Sequence, residues 1–156
     1  EKSVYVRESA ALALGMIGDS RALDAFVGIL EAKKTFLDKF TFLKERVIEA
    51  LNKIDFSSNK RAVAALKEAL NDESPQVRIN AVESLMNSNV DEAFDLIWKM
   101  LYDTDDEVRK NAVIALYNLE GKDALIRIIS DETLDVSCKE EAQDVLLEVD
   151  EDTEDD

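Results

Sequence analysis

Asp106-Glu107-Val108-Arg109-Lys110-Asn111-Ala112-Val113-Ile114-Ala115-Leu116-Tyr117-Asn118-Leu119 decides the fold. Its apolar residues fall at Val108, Ala112, Ala115, Leu116 and Leu119, the spacing of one buried face of an α-helix. A basic residue, Arg109, stands second in the pattern. Working outward, the same arrangement recurs as Val77-Arg78-x-x-Ala81-x-x-Ser84-Leu85 and as Leu43-Lys44-x-x-Val47-x-x-Ala50-Leu51-x-x-Ile54. It recurs again as Val6-Arg7-x-x-Ala10-x-x-Ala13-Leu14-x-x-Ile17 and, more weakly, as Cys138-Lys139-x-x-Ala142-x-x-Val145-Leu146-x-x-Val149. Successive basic positions are 37, 34, 31 and 30 residues apart, a period that belongs to stacked helix pairs.

A second pattern lies between the copies. Ala22-Leu23-x-x-Phe26-x-x-x-Leu30 matches Ala62-Val63-x-x-Leu66-x-x-x-Leu70 and Ala93-Phe94-x-x-Ile97-x-x-x-Leu101, again one helical face. The fourth copy, Ala124-Leu125 to Ile128-Ile129, is about two turns long. Each repeat is therefore expected to be two antiparallel helices. Gly18 and Gly121 stand where a left-handed cap ends a helix, Ser74-Pro75 reads as an N-cap followed by a first-turn proline, and Thr104-x-x-Glu107 reads as a capping box. Phe36, Leu37, Phe40 and Leu43 keep helical spacing, so the helix of the second copy is expected to begin near residue 35.

One Pro and four Gly are too few for a loop-rich or all-β chain, and 46% hydrophobic residues are enough for a core in a domain of 156 residues. The formal charge of −16 repels a phosphate backbone, which argues against a nucleic-acid partner. Six of its carboxylates lie in Asp150 to Asp156, read as a disordered acidic tail after a repeat domain spanning 1–149. The lone Cys138 suits a reducing compartment, so a cytoplasmic location is expected. No apolar run is long enough to span a membrane. The first helix is apolar nearly all round, from Val4, Tyr5 and Val6 to Met16 and Ile17. Together with the missing initial Met, this suggests the C-terminal part of a longer array, or an N-terminal edge that self-associates.

Acidic residues precede the Val-Arg pairs, with Asp72 and Glu73 before Arg78 and Asp103 and Asp105 before Arg109. With them the chain resembles HEAT-like repeat proteins, the closest variety being the type named after phycobilisome lyases. The resemblance covers roughly residues 4–149 and is strongest in the third and fourth copies; Lys44 and Lys139 depart from it by replacing Arg. It implies an all-α, right-handed α-α superhelix, a solenoid of about four HEAT-like helix pairs. It also implies a structural ladder of acidic and basic residues between repeats, which would assign Asp72, Arg78, Asp103 and Arg109 to scaffold. HEAT-like arrays act mostly as protein-interaction scaffolds whose curved surface is lined by the second helix of each pair. Phycobilin lyases are relatives that act on bilins; deoxyhypusine hydroxylase holds iron through His-Glu pairs, which a chain without His cannot supply.

Without His, the commonest general base and metal ligand is missing, and no nucleophile has an activating neighbour in sequence, so no catalytic residue, metal or cofactor is expected. Cys138 aligns with Val6, Val77 and Val108 and reads as a small core hydrophobe. Asp103 to Glu107 lacks the turn Gly and terminal Glu of a calcium loop. A partner-binding face is expected instead on the pattern-bearing helices, beside the apolar stripe. It comprises Arg46, Glu49 and Lys53, then Asn80, Glu83, Met86 and Asn87, then Asn111, Tyr117 and Asn118. The recurring amides are poor helix formers, which suggests that recognition selects them. Leu96, Trp98 and Met100 form a competing apolar surface on the first-helix side. The function expected is a non-catalytic protein-protein interaction scaffold or adaptor; a bilin-lyase-like enzyme or its accessory subunit, and a structural spacer, are the alternatives.

Overall fold

Apolar stripes at helical spacing fold only when they face one another. In the computed structural model of the chain they do so as helices alone, with no strand among the described residues. The structure describes the backbone of residues 2–31 and 39–154, and the side chains of 6, 9, 10, 12–31 and 43–150. By contacts the chain divides into two compact units, Glu1–Asp91 and Glu92–Asp156.

In the first unit, α1 (Lys2–Ile17) is followed by a 3-10 turn (Ser20–Ala22), α2 (Leu23–Leu30), α3 (Lys39–Leu51), α4 (Lys60–Ala69) and α5 (Pro75–Met86). The repeats pair as expected: α2 packs on α3 and α4 on α5, while α3 also meets α5 and α2 meets α4. Val47, Ile48 and Leu51 from α3, Leu66 from α4 and Leu85 from α5 are fully buried. Phe26 of α2 reaches α1, where a Cβ on Gly15 would stand 2.3 Å from its ring and 2.9 Å from the methyl of Ala50. Only glycine permits that approach. The expected start of α3 near residue 35 lies outside the described residues, as do the side chains of Val4, Tyr5 and Arg7 in α1.

The second unit holds α6 (Ala93–Lys99) with a 3-10 turn (Met100–Tyr102), α7 (Asp106–Glu120), α8 (Lys122–Ser130) and α9 (Val136–Glu154). Here α6 packs on α7, α8 on α9, and α7 on both α8 and α9. Ile97, Leu101, Leu116, Leu125 and Ile128 form its centre. Cys138 is buried among them, its thiol 3.4 Å from the Leu101 carbonyl. The all-α, helix-pair class expected from the sequence is what each unit displays.

The helix ends follow their chemistry. Gly18 and Gly121 have φ of 80° and 67°, and Asp19 N–H reaches back to the Leu14 carbonyl at 2.9 Å as in a left-handed cap. Ser74 caps α5 ahead of Pro75. Two expectations differ. The cap of α7 is Asp105, whose carboxylate accepts from Val108 N–H at 3.2 Å, and not Thr104. Asp103 prepares it by accepting from Asp105 N–H at 2.9 Å, a local turn that a search for Ser/Thr capping boxes passes over. The acidic run expected to be disordered also begins as helix: α9 continues to Glu154, and Lys122 holds Asp150 at 2.5 Å. The side chains beyond Asp150 lie outside the described residues.

Candidate interaction surface

Three of the basic residues that open the patterns, Lys44, Arg78 and Arg109, bond to the turns between helices. Lys44 on α3 meets the Asp72 carboxylate in the α4–α5 turn at 2.7 Å, with little of either side chain exposed. Arg78 on α5 donates to the carbonyls of Asp72 and Glu73 at 2.8 and 3.3 Å. Arg109 on α7 repeats this geometry with the Asp103 carbonyl at 2.8 Å, then reaches Asp106 at 2.8 Å and the Ser137 hydroxyl of the next repeat at 3.2 Å. Both arginines thus donate to carbonyls of the turn that holds the acids the resemblance names, Asp72 and Asp103. A planar fork satisfies a turn's orphan carbonyls better than an ammonium does. The Asp72 carboxylate is the ionic partner of Lys44, a replacement that the sequence reading counted as a departure from the pattern.

Beside these ties run the polar rows. On α3, Arg46 pairs with Glu49 at 2.6 Å, and Lys53 in the turn after it is exposed; with Leu12, Met16 and Ala50 they line a pocket of about 30 Å³. That holds roughly one water and no ligand. On α5, Asn80 donates to the Glu45 carbonyl of α3 at 3.3 Å and accepts from Gln76, while Glu83 and Asn87 are exposed and Met86 is half-buried. On α7, Tyr117 and Asn111 are half-buried and Asn118 is exposed. The amides have local work: Asn87, Asn111 and Asn118 donate to the carbonyls of Glu83, Glu107 and Ile114, each four residues back, at 3.0, 2.8 and 3.0 Å. Asn80 staples two neighbouring helices. Their recurrence has a structural cause that needs no ligand.

Sequence reasoning missed two features. Ser84, at a position that is alanine in three of the other copies, is fully buried, bonding the Ile48 carbonyl at 3.3 Å and the Asn52 side chain. The signal available was a hydroxyl on an otherwise apolar stripe. In the second unit, Phe94 and Trp98 stack with centroids 5.8 Å apart, and the Arg127 guanidinium lies 4.8 Å from each ring and 3.1 Å from Glu120. Trp98 and Leu96 are half-buried here, but Met100 is in the core. Arg127 comes from the short α8, the fourth copy of the pattern that α6 carries, so this contact crosses from one repeat to the next.

Charge is divided unevenly. Residues 1–91 carry 13 basic and 14 acidic side chains, residues 92–156 only 6 against 21. No group of three or more His, Cys, Asp or Glu placed to hold a metal occurs among the described residues. Burial pushes the Cys138 thiol above its ordinary pKa, with the Arg109 guanidinium pulling the other way.

Stacked helix pairs with polar outer rows define a class of protein, the α-helical repeat proteins that meet partners on an extended surface. The chain belongs to the HEAT repeat family: HEAT repeats match residues 38–118 and 63–156, and the PBS lyase HEAT-like repeat matches residues 6–31. HEAT repeats generally mediate protein-protein interaction and are typically non-enzymatic. None of the curated proteins matches the chain. No described helix is long and apolar enough to cross a membrane.

Proposed function

We propose that the chain is a non-catalytic scaffold or adaptor in which each unit offers polar helix rows to another protein, α3 and α5 in the first and α7 in the second. The observation that supports this most is the packing of α3 against α5, where Asn80 bonds the Glu45 carbonyl and the exposed or half-buried Arg46 and Glu49 of one helix accompany Glu83 and Met86 of the other. A chain without His, whose one thiol is buried and hard to ionise, has little with which to do acid-base or nucleophilic chemistry. A reduced, buried Cys138 is also at home in the cytoplasm, where we place the protein.

The test is capture of partners from lysate on the immobilised chain, with Arg46→Ala and Tyr117→Ala as variants. Reduced capture at unchanged melting temperature supports the reading. Capture lost only on Trp98→Ala or Arg127→Ala moves the site to the Phe94–Trp98–Arg127 cluster, whose residue types are those of interface hot spots. No captured protein at all favours a spacer role, and a shifted visible spectrum on mixing with a bilin favours lyase-like chemistry. Self-association is a further part of the proposal, because α1 exposes Val6, Met16 and Ile17. Light scattering that finds only monomer at high concentration removes it.

A further inference from the structure

We propose that the outer face of α7 and α9 docks a basic amphipathic helix of a partner protein. The inference rests on the scaffold reading and gives its partner a chemistry. The two helices pack side by side within the second unit, and their patterns align Arg109 with Lys139, so Asn111, Ile114, Tyr117 and Asn118 of α7 stand level with Glu141, Asp144, Leu147 and Glu148 of α9. Ile114 is 42% exposed and Leu147 61%, with half-buried Tyr117 between them in register. Together they make an apolar seam on a surface otherwise built of carboxylates and amides.

The occupant is argued from charge. The unit carries 21 acidic against 6 basic residues, while the first unit is nearly neutral. On α9 itself eight acidic residues accompany a single Lys139. Lys110 of α7 is already held by Asp106 and Glu107 at 3.6 and 3.5 Å and feels Glu141 as well, and Lys122 is held by Asp150 of α9 at 2.5 Å. A helix with leucines at i, i+4 and i+7 would cover Ile114, Tyr117 and Leu147, and lysines on its flanks would meet Glu107, Asp144 and Glu148. An acidic partner would be repelled, and an anionic membrane or nucleic acid likewise. The rows of the first unit, where Arg46 and Lys53 accompany Glu49, lack this bias.

The probe is a synthetic Leu/Lys helix of about 18 residues, long enough at about 27 Å to follow α9. Two control peptides keep its length, one with every Lys replaced by Glu and one with every Leu replaced by Ser. Binding to the full chain is read by fluorescence anisotropy at about 50 and about 300 mM salt. The Leu/Lys peptide is expected to bind, the Glu peptide not to bind, and the Ser peptide to bind at least about tenfold more weakly. Ile114→Ser with Leu147→Ser, both exposed and so expected to fold, should cost about tenfold or more. Asp144→Lys with Glu148→Lys should remove most of the salt dependence. Equal binding of the Leu and Ser peptides, or no effect of either pair of substitutions, overturns the proposal. Should the peptide fail while Arg46→Ala still reduces capture of a lysate protein, the scaffold reading stands and this one falls.

Discussion

Two ion pairs in the first unit have almost the same length and should differ severalfold in strength. Lys44 and Asp72 meet at 2.7 Å with side chains 16% and 10% exposed; Arg46 and Glu49 meet at 2.6 Å with 42% and 57% exposed. At an effective dielectric of about 20, charges at the Lys44–Asp72 contact distance attract by at most about 6 kcal/mol. Desolvation of both groups opposes most of that, and a coupling of about 1–3 kcal/mol remains, the range for hydrogen bonds to charged groups in partly buried sites. For the exposed Arg46–Glu49 pair, solvent screening and side-chain entropy leave about 0.3–0.5 kcal/mol. The assay is a double-mutant cycle on each pair, with Ala substitutions followed by urea unfolding in circular dichroism. Asp72 also accepts from Ser74 N–H at 3.0 Å. The cycle removes that contribution because it is lost in both arms. Coupling energies that agree within about 0.3 kcal/mol would falsify the claim that burial, and not contact distance, decides the strength of these ties.

Gly15→Ala is expected to destabilise by about 1–3 kcal/mol, because its methyl would overlap a fully buried Phe26 ring; a Gly28→Ala control, with open space around it, should leave the melting temperature unchanged or raise it. Cys138 should resist thiol reagents in the native chain and react promptly in urea, since it is 1% exposed and its ionisation is disfavoured by burial. Prompt native-state labelling would contradict the placement of α9 against Leu101. Added salt should raise the melting temperature of the second unit more than that of the first, because it screens repulsion among 21 acidic residues while the first unit gains little.

The helices were legible because their stripes are long and regular. Ala62, Leu66 and Leu70, or Val108, Ala112, Ala115 and Leu116, leave one solution for the core, and all are buried. The helix ends at Gly18 and Gly121, both with positive φ, were legible for the same local reason, although Gly121, at ψ −150°, is not a left-handed helical cap. What escaped was chemistry that depends on an atom rather than a residue type. Nothing in the string tells whether an arginine meets a carboxylate or the carbonyl of the same turn, so Arg78 and Arg109 could be assigned to scaffold by resemblance but not to their acceptors. The amides were ambiguous because an Asn that folds back on its own helix and an Asn offered to a ligand look alike in sequence. The Trp98–Arg127 contact joins helices from different repeats, a relation that periodicity does not encode.

That contact gives the molecule its own optical reporter. Trp98 is the one tryptophan in the chain, and it sits in the second unit beneath a guanidinium that comes from another helix of the same unit. Its emission therefore follows the separation of α6 from α8, while far-ultraviolet dichroism sums the helices of both units. Where the two curves superpose during unfolding, the units melt as one cooperative body; where they part, the order in which the halves let go can be read directly from the wild-type chain, with no label introduced.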